Sequence, residues 1–250
     1  MLLRMSTPSQ ISIIFGATGG IGHAVAEARA SQGDTLVIVA RDAERLKSLA
    51  AATGATAYTA DATQEDQVSG IIQAVVDQYG RVDAVANLVG SLLLKPAHLT
   101  TADEWHQTLR QNLDTAFFVT KHAAKAMMKT GGSIVLMSSA VAQKGLTNHE
   151  AIAAAKAGVA GLARGAAATY AKRGIRVNAV MPGLTETPMT ARLTQNEASK
   201  NASAAMHAMG RIGAPSDVAP LVSFLLDASS SAWVTGQCIG ADGGLSVLQP

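Results

Sequence analysis

Short apolar runs alternate with longer stretches of helical period along the whole chain. The runs, about five residues each, predict strands at Ile11–Phe15, Thr35–Ala40, Thr56–Thr59, Ala84–Leu88, Ser133–Met137, Arg176–Val180 and Gln237–Gly240. Between them, the helical pattern predicts helices at Ile21–Gln32, Ala43–Ala52, Glu65–Tyr79, Ala102–Lys129, Asn148–Lys172 and Pro215–Asp227. Strands apolar on both faces and joined through helices belong to a parallel sheet covered on both sides. The pattern therefore predicts an α/β fold built on one seven-stranded parallel sheet. No linker or repeat interrupts it, so residues 1–250 read as a single domain, with 1–10 as a flexible N-terminus.

Two segments depart from the alternation. Ser91–Thr100 and Leu184–Arg211 are longer than ordinary connections, and both follow strand carboxyl ends, the edge where open α/β sheets bind ligands. Residues 184–211 carry Met189, Leu193, Met206 and Met209 and read as a substrate lid; a satellite core under an ordered loop is the alternative. Leu92-Leu93-Leu94 either lines the substrate mouth or packs the loop. The helix from Asn148 is small and apolar around most of its circumference, through Ala153, Ala157, Gly158, Gly161 and Ala163. Such a helix needs cover on more than one side, which predicts a homodimer or homotetramer.

Composition narrows the class. With 48% hydrophobic and 15% charged residues the chain reads as a compact folded protein, not a disordered one. Twenty basic against eighteen acidic residues, scattered along the chain, give no nucleic-acid surface. No uncharged run is long and apolar enough to span a bilayer, and Met1 to Gln10 lack a secretory core, so no membrane partner is expected. The single Cys238 cannot form an internal disulfide, and cytoplasmic is the expected setting. Six scattered histidines give no metal-ligand spacing, so no metal is expected.

The chemistry-bearing signals fall at predicted strand ends. Gly16-Ala17-Thr18-Gly19-Gly20-Ile21-Gly22 follows the first strand and opens a helix, where a pyrophosphate meets close backbone, free N–H groups and favourable partial charge. Asn87…Gly90, Asn112, Ser138-Ser139, Lys156, Pro182-Gly183 and Asp242-Gly243-Gly244 complete a set that resembles the short-chain dehydrogenase/reductase family. The resemblance implies a Rossmann-type doubly wound fold and a nicotinamide dinucleotide held by Gly16, Thr18, Gly20, Ile21 and Gly22. It also implies contacts to adenine from Asp61 and Ala62, backbone approach at Asn87 and Gly90, ribose binding by Lys156, and carboxamide binding by Pro182, Gly183, Leu184 and Thr187. At the end of the second strand the acid that accepts from the NAD ribose is replaced by Ala40, followed by Arg41. A guanidinium can hold a 2′-phosphate with paired hydrogen bonds, so NADP(H) is expected over NAD(H). The alternative pairs Arg41 with Asp42 or Glu44 on the surface.

In the family, hydride passes between nicotinamide and a carbonyl or alcohol substrate while a Tyr-x-x-x-Lys helix manages the proton. Asn112, Ser139 and Lys156 match the family's asparagine, serine and lysine. The tyrosine position, four residues before Lys156, is Ile152, which has no dissociable proton. Tyr170 lies fourteen residues beyond Lys156, about 21 Å along a helix, and cannot substitute. Thr147-Asn148-His149-Glu150 reads as a capping box with Thr147 as N-cap and Glu150 at N3. His149, Ile152 and Lys156 then share one helical stripe, which makes His149 one candidate proton source; Ser139, Lys156, a water on Asn112 or the substrate are the others. Two functions follow: an NADP(H)-dependent oxidoreductase with an atypical proton route, or a catalytically impaired dinucleotide-binding sensor or partner subunit.

Overall fold

The computed structural model of the chain describes residues 9–248. The expected flexible start therefore lies, through residue 8, outside the described residues. Ser9 and Gln10 are tied down by hydrogen bonds to the Thr35 hydroxyl and the Leu226 carbonyl.

Seven parallel strands form one sheet in the order β3-β2-β1-β4-β5-β6-β7: β1 Ile11–Phe15, β2 Thr35–Ala40, β3 Thr56–Thr59, β4 Ala84–Asn87, β5 Gly132–Met137, β6 Ile175–Pro182 and β7 Cys238–Ala241. The helices are α1 Gly20–Ser31, α2 Ala43–Thr53, α3 Glu65–Tyr79, α4 Ala102–Leu109, α5 Thr115–Met127, α6 Glu150–Tyr170, α7 Ala191–Thr194, α8 Glu197–Met206, α9 Pro215–Leu226 and α10 Ala228–Ser231. Side chains alternate across the sheet, as the pleat requires. Ile13 and Phe15 join Val68, Val75, Val119 and Val159 from α3, α5 and α6, while Ile14 joins Val25, Leu46, Val222 and Leu225 from α1, α2 and α9. The chain reverses direction across the sheet between β1 and β4, which opens a crevice at their carboxyl ends.

Two expectations on local structure are corrected. The helix expected over Ala102–Lys129 is interrupted by a π turn at Arg110–Asp114, with Asn112 inside it. Such a turn adds a residue to the helical ladder and is a common device for re-aiming a functional side chain. The capping box on Thr147 does not form. Asn148 is left-handed (φ 64), His149 is the N-cap without a side-chain capping bond, and α6 starts at Glu150. That left-handed residue turns the chain between Thr147 and the helix, and asparagine tolerates it at low cost. Residues 184–211, read from the sequence as a lid or a satellite core, fold into a 3-10 turn at Pro188–Thr190, α7 and α8, the last capped by Asn196 accepting from the Ser199 N–H.

One structural device lies away from the crevice. Arg29 and Asp34 form a buried ion pair at 2.8 Å, both side chains under 5% exposed. Ser12 donates to the same carboxylate, so the charges are compensated inside the fold.

Candidate active site

The carboxyl ends of the central strands surround a cavity of about 330 Å³. Its glycine wall starts where β1 ends. Gly16 takes φ +78, and its N–H, like that of Ala17, bonds to the Val39 carbonyl. Gly19 closes the turn onto the Gly16 carbonyl and is the N-cap of α1, with no side-chain cap and no acidic residue in the first turn. The first N–H groups of α1 are therefore left free at a positive helix end. A Cβ on Gly22 would collide with the Gly16 carbonyl oxygen, so backbone packs directly on backbone here. The result is a cradle open to an anion and too tight for any side chain.

Gly20, Ile21 and Gly22 line the cavity; Gly16 and Thr18 lie behind them in the turn. Arg41, Asp61 and Ala62 do not line it, because they stand at the ends of β2 and β3, further along the same edge. Arg41 is exposed and forms no ion pair with Asp42 or Glu44 among the described residues. Asp42 instead caps α2 by accepting from the Arg45 N–H. Asp61 accepts from the Thr63 N–H and donates its own N–H to Gln67, so it shapes the turn after β3.

Asn87, Asn112, Ser139 and Lys156 are carried by different elements. Asn87 ends β4, buried, donating to the Thr115 hydroxyl and accepting from the Val89 N–H. Asn112 is also buried; its amide accepts from the Ser91 N–H and donates to the Ser91 hydroxyl and the Thr108 carbonyl. These bonds clamp the loop that leaves β4. Gly90 in that loop faces both groups, since a Cβ there would stand 2.8 Å from Asn112 Oδ1 and 3.2 Å from Lys156 Nζ. Ser139 follows β5 half-buried, its hydroxyl accepting only a long bond from the Val141 N–H at 3.4 Å. Ser138 beside it donates to the Lys156 carbonyl, pinning α6 to the end of β5.

Lys156 Nζ donates to the Met137 carbonyl at 2.8 Å. Burial without a counter-charge pushes its ammonium down from 10.5 to about 8. Ile152, 3% exposed, lies in the cavity wall one turn before it. The segment after β6 completes the lining through Pro182, Gly183, Leu184 and Thr187, with Met189, Leu193 and Met206 above them. Met209 from the same predicted set is 68% exposed and lies outside the cavity; Leu92 and Leu94 line it while Leu93 does not.

Two residues escaped the sequence reading. Arg45 Nη2 donates to the Thr18 carbonyl at 2.6 Å, bracing the glycine turn from α2. His207, 2% exposed, donates from Nδ1 to the Ser203 carbonyl and accepts the Leu184 N–H at Nε2, joining the end of α8 to the strand end below it. No spacing signals either contact, because both depend on how elements distant in sequence stack.

The family model described as enoyl-(acyl carrier protein) reductase matches residues 16–246. The 3-oxoacyl-(acyl-carrier-protein) reductase FabG of Thermotoga maritima is 37% identical over 97% of this chain and 100% of its own length. Among solved structures, a short-chain type dehydrogenase/reductase from Mycobacterium ulcerans superposes with a TM-score of 0.90, at 28% identity, over 96% of this chain and 90% of its own. A variant of actinorhodin polyketide ketoreductase solved with NADPH gives a TM-score of 0.89, at 30% identity, over 96% and 98%. The seven-stranded parallel sheet agrees with these likenesses: the chain belongs to the short-chain dehydrogenase/reductase family of oxidoreductases.

Proposed function

We propose that this protein is an NADP(H)-dependent reductase of neutral, apolar carbonyl compounds, working by a proton route that uses no phenol. The observation that carries the reading is the convergence of Ser139 and Lys156 on one apolar cavity beside the glycine cradle, with Ile152 in its wall. The cradle fits a dinucleotide: free α1 N–H groups and the side-chain-excluding Gly22 suit a pyrophosphate. Gly16, Thr18, Gly20, Ile21 and Gly22 would hold that group. Asp61 and Ala62 would hold adenine, with Asn87 and Gly90 giving close backbone beside it. Lys156 would take the ribose hydroxyls, and Pro182 to Leu184 with Thr187 the carboxamide. Arg41, uncommitted to any carboxylate among the described residues, would bind a 2′-phosphate and so favour NADP(H).

When bound, the nicotinamide supplies a hydride to a carbonyl or accepts one from an alcohol. Ser139 orients the substrate oxygen through its free hydroxyl proton. Asn112 acts as a positioning residue, holding the loop that carries Gly90 against Lys156. The lid formed by residues 184–211 excludes water with Met189, Leu193 and Met206. Orientation alone supplies a large part of such a barrier, so loss of the tyrosine, a factor of about 10²–10⁴ for general acid catalysis, lowers turnover without abolishing it. The outward face of α6, with Ala154, Ala157 and Gly161 exposed in the single chain, supports a homodimer or homotetramer. The single Cys238 fits a cytoplasmic setting.

NADPH oxidation against a panel of apolar ketones tests the reading, together with dissociation constants for NADPH and NADH. Turnover with tighter NADPH binding supports it, and tighter NADH binding overturns the cofactor preference. The second reading, a dinucleotide-binding sensor or partner subunit, is favoured by one observation, the hydrocarbon of Ile152 at the tyrosine position. It predicts NADPH binding with no turnover, and turnover gained in Ile152→Tyr.

A further inference from the structure

We propose that His149 is the catalytic acid of this site, donating from Nε2 the proton that the missing tyrosine would have supplied; the inference rests on the reductase reading above. Among the described residues, three titratable side chains line the cavity: His149, Lys156 and His207. His207 is committed at both ring nitrogens, to the Ser203 carbonyl and the Leu184 N–H. Lys156 is buried and its Nζ is already committed to the Met137 carbonyl, against Gly90 and Asn112. Among the described residues, Ser139 bonds to no titratable group that could reload its hydroxyl.

His149 differs from all of these. Its Nδ1 donates to the Thr147 carbonyl at 2.7 Å, and Nε2 has no partner among the described residues. That single bond fixes the tautomer: the neutral ring carries its proton on Nδ1, and Nε2 gains and loses the second proton with the Thr147 bond intact. The left-handed Asn148 presents the residue here. Its carbonyl accepts the Lys95 N–H, and His149 becomes the N-cap of α6, on the same stripe as Ile152 and Lys156. Half-buried, the ring lines the cavity and still reaches water.

The balance closes. The carbonyl carbon takes a hydride from bound NADPH, the C=O π pair takes the Nε2 proton of the imidazolium, and the product alcohol leaves a neutral Nδ1–H imidazole that water reprotonates. Other charged groups near the ring are accounted for. Glu150 accepts the Ala97 N–H, Lys95 is paired with Glu104 at 2.8 Å, and Lys156 and His207 keep their bonds to the Met137 and Ser203 carbonyls.

Two measurements on the full chain test this. In ¹⁵N-histidine-labelled protein without ligand, the neutral His149 ring should be the Nδ1–H tautomer; the Nε2–H form overturns the proposal whatever the activity. With NADPH and an apolar ketone, His149→Gln should lower kcat about 10²–10⁴-fold and leave KM for NADPH unchanged. An unchanged kcat in His149→Gln overturns the proposal. A wild type with the Nδ1–H tautomer and no turnover of any ketone overturns the reductase reading instead, and this role with it.

Discussion

Replacing Lys156 by methionine removes a buried ammonium while keeping the volume of its stem. Burial holds this group at about 8 against 10.5 for a solvated lysine, a gap worth about 3 kcal/mol of native-state stability at neutral pH. The variant also leaves the Met137 carbonyl without its donor, which costs about 1–3 kcal/mol. The net expectation is a gain of about 1 kcal/mol at pH near 7. The pH dependence carries the sharper signal. Between pH 8 and 10.5 the unfolded lysine is protonated and the folded one is not, so wild-type stability rises through this window. By about pH 9.5 it has recovered about 2 kcal/mol, and the variant has recovered nothing from this group. Urea unfolding of both proteins, followed by circular dichroism at pH near 7 and near 9.5, should therefore show the order of stability reversing. Other lysines and tyrosines titrate alike in both chains and cancel in the difference. A variant destabilised equally at both pH values would refute the reasoning that burial depresses this ammonium.

Further outcomes follow from single contacts. Asp34→Ala strands the buried Arg29 guanidinium and should lower unfolding free energy by about 3–5 kcal/mol in urea titration, with less loss in Asp34→Asn. Gly90→Ala places a methyl group against Asn112 and Lys156, and should cost about 1–3 kcal/mol of stability as well as turnover. His207→Phe removes the acceptor for the Leu184 N–H and should raise KM for NADPH on the order of tenfold, measured by steady-state kinetics. Arg41→Ala should weaken NADPH in calorimetry on the order of tenfold or more and leave NADH within about twofold.

The alternation of apolar runs and helical periods made the sheet legible, because strands buried on both faces leave little else for Val, Ile and Ala to do. The glycine turn was legible for the same reason: Gly22 abuts backbone, and no other residue fits. What escaped depends on contacts between elements distant in sequence. The π turn holds Asn112 where its side chain bonds both Ser91 and Thr108, and a helical period of about 3.6 residues carries no mark of that. His207 reaches Leu184 only after α8 folds back over the end of β6. Thr147 and Glu150 had capping-box spacing, yet the left-handed Asn148 between them decided where α6 begins. Spacing on α6 did put His149, Ile152 and Lys156 on one stripe; which nitrogen of the ring is free became visible only with the Thr147 carbonyl in place.

The proposed function requires a cavity that still aligns a dinucleotide with a carbonyl although Ile152 replaces the phenol. The most direct measurement uses NADPH deuterated at the transferable position of nicotinamide C4, with mass spectrometry of the alcohol formed from an apolar ketone. The account predicts one deuterium on the carbinol carbon, at a rate that falls in Ser139→Ala. Tight NADPH binding with no deuterated product from any ketone tested would contradict it.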